Sequence, residues 1–191
     1  MAKIGLNNFR YSPLTEAADG TPTYAGATKP AKAVSCNVEV TLNEASLYAD
    51  DGLAESDNSF ARANVTIGID EDDQATMAAL LGHSVDQTSS AMVRKVTDEA
   101  PYVGFGRVIT KKVGGTLKYK VEFLYKVKFA EPNQSDNTKG ENTEFSTTEL
   151  SGVASALANG EWSITKTFTS KTDAITYLEG LMAAPSGGGN L

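Results

Sequence analysis

Chemistry in this 191-residue chain would have to come from very few side chains, because it holds one cysteine, Cys36, and one histidine, His83. One cysteine cannot close an intrachain disulfide, and one Cys with one His cannot complete a four-ligand Cys/His zinc site within the chain. Cys36 alternates with Val34, Val38 and Val40, which reads as a small buried thiol and not a nucleophile. His83 follows Gly82 at the end of a helical pattern, where an imidazole can satisfy helix carbonyls. Ser84 has no Gly-x-Ser-x-Gly around it. Gly104-Phe105-Gly106 lacks the third glycine and the following helix of a dinucleotide fingerprint, and no phosphate-cradling Walker motif occurs. Asp70–Asp73 lacks the glycine of a calcium loop, and Asp50-Asp51 also fails that pattern. A total of 24 acids always supplies some carboxylate pair, so glycoside-type pairs discriminate nothing. The reading is a protein without catalytic residues, metal or cofactor.

One pattern remains. Lys118, Lys120, Lys126 and Lys128 share even positions, opposite Leu117, Tyr119, Val121, Phe123, Tyr125, Val127 and Phe129 on odd ones. A lysine stripe could grip phosphates, but no aromatic interleaves on its face, and a solvated or subunit-facing surface is the simpler reading.

The elements that would position these residues are mostly strands. Val34, Cys36, Val38, Val40 and Leu42 alternate with polar residues, as do Ala61, Ala63, Val65, Ile67 and Ile69. These predict two half-buried strands. Between them residues 47–59 form a connection far longer than an ordinary hairpin loop, acidic yet carrying Leu47, Tyr48 and Leu53. Such a loop points to a partner. The alternation over 116–129 predicts a long strand preceded by a turn at Gly114-Gly115. A two-residue turn would set Ile109 opposite Lys120, so a three- or five-residue loop with a bulge is expected instead. Acids and apolar spacing predict a helix over about 71–81, capped by Asp70 with Asp73 three residues on and with Gly82 at its end. Weaker strands are expected over 142–150 and around Trp162, Ile164 and Phe168, with a helical turn or connection at 153–160. Ser170 with Asp173 reads as a capping box for a last helix, which Pro185 stops. Ile4, Leu6 and Phe9 could begin an edge strand, but prolines and glycines make residues 1–33 an arm or loop overall. Residues 34–183 then form a single domain, and 184–191 a flexible tail. The fold class is mainly β, α+β, with two short helices.

Composition fits one ordinary globular core, with 40% hydrophobic residues and 17 glycines. The net charge of −7 argues against a general nucleic-acid binder. That total hides two blocks: residues 37–73 hold ten acids and one base, while 94–128 hold nine bases and three acids. Opposite blocks suit pairing within the chain or head-to-tail assembly between copies. The longest apolar run, Met77 to Leu81, is far too short to span a membrane, and the first residues carry no export pattern.

Several ordered stretches resemble the phi-type major tail tube proteins of long-tailed, siphovirus-type bacteriophages. They are Leu47-Tyr48-Ala49-Asp50-Asp51-Gly52-Leu53-Ala54-Glu55, Met77-Ala78-Ala79-Leu80-Leu81-Gly82-His83 and Pro101-Tyr102-Val103-Gly104-Phe105-Gly106. Leu124-Tyr125-Lys126-Val127-Lys128-Phe129, Asn137-Thr138-Lys139-Gly140-Glu141 and the run from Trp162 to Leu181 complete the set. The resemblance covers roughly residues 34–182. It implies an antiparallel, barrel-like β-sandwich with a flanking short helix and a C-terminal helix. It also implies a structural virion protein, made in a host bacterial cytoplasm, whose copies close hexameric rings that stack into a hollow tail tube for DNA ejection. Implied partners are further copies and the tape-measure, tail terminator and distal tail proteins. DNA would pass through the lumen without specific binding.

On this likeness the strands near 35–42 and 60–69 line the lumen, through Asn37, Glu39, Thr41, Asn64 and Thr66. The long loop contacts a neighbouring subunit or ring, through Leu47, Tyr48, Asp50, Asp51, Leu53 and Glu55. The lysines 118, 120, 126 and 128 would complete such contacts. Two alternatives stay open: a ring protein of another phage-derived device or a tail terminator, and a β-rich binding module or small hydrolase acting alone.

Overall fold

The computed structural model describes residues 2–49, 52–86, 88–134 and 147–184, and the side chains of 46–49, 52–55 and 57 lie outside that description. In chain order the elements are β1 (Ala2–Glu16), β2 (Pro22–Tyr24), β3 (Ala33–Leu42), β4 (Ala45–Ala49), β5 (Gly52–Asp57), β6 (Phe60–Ile69) and α1 (Gln74–Leu81). They continue with β7 (Ser84–Val85), β8 (Met92–Val93), β9 (Tyr102–Val113), β10 (Thr116–Phe129), β11 (Thr148–Ser155), β12 (Ser163–Phe168) and α2 (Lys171–Leu181). The chain is mainly β, with one large antiparallel sheet and two helices.

That sheet runs β2-β1-β9-β10-β11-β6-β3, with β12 also on β10. β10 is long enough to serve two neighbours on one side. Residues 119–124 pair with β12 and residues 126–129 with β11. The sheet folds over at this strand, so its halves pack face to face in a sandwich. Phe9, Tyr11, Val103, Phe105 and Leu124 from one half meet Ala63, Val65, Ile67, Ile69 and Leu150 from the other. Met77, Leu80 and Leu81 of α1 close the core. On the outer face of the first half, Val108, Val121 and Phe123 bury Ala174, Leu178 and Met182 of α2 and its end.

α2 starts as its sequence dictates. Ser170 Oγ accepts from Asp173 N at α2. α1 is shorter at its start than expected, because Asp73 is the cap and accepts from Thr76 N. Asp70 instead accepts from Lys32 N, tying the end of β6 to the entry of β3. Gly82 ends α1 in the left-handed conformation, and a Cβ there would also strike the Glu99 carbonyl.

Three expectations are corrected. Residues 2–16 form a strand inside the sheet, not an arm: Phe9 and Tyr11 are buried, and β1 pairs with β9 from Ala2 to Pro13. Its pattern was obscured by a register shift between Asn7 and Arg10, where Asn8 has φ 53°. The β9–β10 turn has two residues, both glycines with positive φ, and Ile109 does face Lys120. β9 tolerates that register because residues 103–109 are buried on both faces. The bulge lies instead within β10, between Leu124 and Val127. Residues 148–155, expected to span a strand end and a connection, form β11. The expected positions 142–146 and the tail 185–191 lie outside the described residues.

Candidate functional site

Alternation on β3 and β6 gives one buried and one polar face, and the register aligns them. Asn37 opposes Thr66, Glu39 opposes Asn64, and Thr41 opposes Arg62. All five residues expected on a lumen wall, Asn37, Glu39, Thr41, Asn64 and Thr66, therefore share one face, with only Thr66 half-buried. Asn37 Nδ2 donates to Glu39 Oε1 at 2.8 Å. β11 extends the face through Ser151 and Val153, opposite Thr66 and Asn64.

Lys128 opposes Val153 and Tyr102, so Lys126 and Lys128 belong to this polar face. Lys118 and Lys120 do not. The β10 bulge moves even positions before it to the inner face, beside Ile109, Arg107 and Glu122. The single stripe of four lysines is thus divided between two faces, a correction no alternation count could supply.

The divided lysines also differ electrically. Lys126 Nζ lies 2.5 Å from Glu16 and Lys128 Nζ 2.7 Å from Glu99, and both lie over the Tyr102 ring. The hydrogen bond from Lys126, joined by Ala158 N–H, holds the Glu16 carboxyl below its usual range. Lys128 does the same for Glu99 and is itself raised by that hydrogen bond. Lys120 lies 3.3 Å from Glu122. Burial alone would raise the Glu122 carboxyl, but Arg107 and Lys120 outweigh it and hold it low. Arg107 is buried and also contacts Cys36 Sγ. Burial pushes the Cys36 thiol up more strongly than Arg107 pulls it down, which disfavours the thiolate. Leu6, Lys3 and Ile109 join Cys36 and Arg107 around a cavity of about 270 Å³.

The connection expected over 47–59 contains a hairpin, β4 paired with β5, with a register shift at Leu47/Tyr48. Asp50 and Asp51 lie outside the described residues, as do the side chains of Leu47, Tyr48, Leu53 and Glu55. The acidic block is split by the length of β6: the hairpin leaves one end of the β3–β6 pair, and Asp70–Asp73 follow the other.

His83 does not serve helix carbonyls through its ring. Nδ1 lies 2.8 Å from Asp98 Oδ2, and Nε2 contacts Glu131. Two carboxylates facing the two ring nitrogens favour the imidazolium, in which both nitrogens donate. Asp98 chiefly, then Glu131, raise its pKa against the effect of burial. The ring ties the end of α1 to the loop between β8 and β9 and to the residues just past β10. Sequence reasoning missed this clamp because its three members are far apart in the chain.

No family model matches this chain. No curated protein matches it either. Among the described residues, no cluster of His, Cys, Asp or Glu is arranged for a metal, and no helix is long and apolar enough to cross a membrane.

Proposed function

We propose that this chain is the structural subunit of a self-assembled hollow tube, of the kind built by the major tail tube proteins of long-tailed phages. The observation that supports it most is the state of β3. Among the described residues this ten-residue strand has one hydrogen-bonded neighbour, β6, and it carries no proline or lysine to blunt its other edge. Val34, Val40 and Leu42 on it are 44–49% exposed. A long edge without a hydrogen-bonded strand on it, carrying apolar side chains, is a liability in a monomer and an asset in a closed ring, where a neighbouring copy pairs with it or covers it.

The polar face fits the same reading. In a ring, Asn37, Glu39, Thr41, Asn64 and Thr66 line the channel, and the two lysines on that face are bound to carboxylates. Such a wall offers DNA phosphates few free cations, so the polymer slides instead of sticking. The hairpin reaches a neighbouring ring, and the tape-measure, terminator and distal tail proteins bound the tube's length. The role needs no catalytic group and no cofactor. The assembled site is the virion tail, after synthesis in a bacterial cytoplasm.

Electron microscopy of the purified protein across a concentration series tests the proposal. Rings that stack into hollow tubes are expected. A chain that stays monomeric at every concentration contradicts it.

A further inference from the structure

Three adjacent strands place lysines directly opposite one another. Lys3 of β1 opposes Lys111 of β9, and Lys111 opposes Lys118 of β10. Directly opposed side chains stand only about 5 Å apart at Cβ, and like charges there repel. Among the described residues, no carboxylate lies within ion-pair distance of any of the three, whereas Lys120, Lys126 and Lys128 each have a partner. Lys112 adds a fourth cation without a carboxylate on the other face of the same tip. A fold that pairs its other β10 lysines and leaves this row repelling itself has kept the row for an anion from outside.

The tip also exposes Ile4, next to Lys3, and, on the Lys112 face, Leu117. It presents no arginine and no exposed aromatic on which bases could stack. A mixed apolar and basic surface calls for a mixed apolar and acidic partner, not for bare phosphates. This chain supplies one: the β4–β5 hairpin and its flanks carry Glu44, Asp50, Asp51, Glu55 and Asp57 with Leu47, Tyr48 and Leu53, and no base.

We propose that the lysine row Lys3–Lys111–Lys118 is the docking surface for the acidic β4–β5 hairpin of a second copy. This rests on the assembly reading above and deepens it by naming the surface the hairpin meets. The contact is heterologous, so each copy gives a hairpin and receives one, which is how rings and stacks propagate.

Two full-length variants separate the halves of the contact. One carries Lys3→Glu, Lys111→Glu and Lys118→Glu and keeps the hairpin. The other carries Glu44→Lys, Glu55→Lys and Asp57→Lys and keeps the row. In sedimentation at low salt, each alone is expected to self-associate at least about 100-fold more weakly than the parent. Mixed, they are expected to form a 1:1 complex that rising salt dissolves. The single variant Lys111→Glu turns two repulsions into attractions. It is expected to melt no lower than the parent while still associating about tenfold more weakly.

Row variants that associate like the parent would overturn the contact while leaving tubes intact. A 1:1 complex from a parent that never forms tubes would keep the contact and remove the tube. A mixture that sediments as monomers overturns the contact. So does row-dependent binding of a short duplex DNA with self-association unchanged.

Discussion

β9 and β3 are strands of similar length in one sheet, yet the chain finishes one and not the other. β9 has β1 on one edge and β10 on the other, and its residues from Val103 to Ile109 are all buried. Even its glycines are enclosed: a Cβ on Gly104 would lie 2.6 Å from the Tyr24 ring and 2.7 Å from Phe123. Among the described residues β3 is paired on one edge, buries Cys36 and Val38 only in part, and leaves three apolar side chains nearly half exposed. The contrast separates two jobs. Under the proposed assembly, the β9 half chiefly holds the monomer together and the β3 edge is left for other copies to complete.

The largest effect should come from the finished half. Phe105 packs edge-on against Phe9 at 5.3 Å and Phe129 at 5.9 Å. Phe105→Ala should cost about 3–5 kcal/mol of folding stability in urea unfolding of dilute protein. A much smaller loss would break the claim that this half carries the fold.

A smaller and pH-dependent effect belongs to the His83 clamp. Its pKa is raised in the fold, so its stabilisation is complete below the ordinary value of 6.5 and lost as pH rises through the raised one. Asp98 is lowered from 3.8, chiefly by its hydrogen bond to His83, so its share is present above that value and lost in acid. The clamp is strongest between these limits. Urea midpoints of the parent should fall above pH 6.5, and His83→Gln should remove that fall. Parallel pH curves for the two proteins would contradict the imidazolium assignment.

The smallest folding effect should come from β3. Val40→Lys changes a half-exposed edge residue and should move monomer stability by no more than about 0.5 kcal/mol. It should still suppress association seen by light scattering, because it places a charge where a neighbour must approach.

The same contrast explains what could be read from the sequence. β3, β6 and the N-terminal cap of α2 were legible because alternation and capping are local signals, and the polar face followed from the alternation, while its register is read only from the structure. β9 carried little alternation because it is buried on both sides, and β1 hid behind Asn8 and Pro13. Pro13 is tolerated where β1 passes from pairing with β9 to pairing with β2. The stripe of four lysines misled because one bulge in β10 exchanges faces. The row Lys3–Lys111–Lys118 could not be seen at all, since it exists only across three strands.

Amide hydrogen exchange, compared between β9 and β3 in dilute and in concentrated protein, tests the central claim most directly. Amides of residues 103–109 should exchange slowly in both samples. The amides of β3 that point away from β6 should exchange fast when dilute and become protected when concentrated. Outward amides of β3 as slow as those of β9 in the dilute protein, or unchanged by concentration, would contradict a subunit whose unfinished edge is completed by its neighbours.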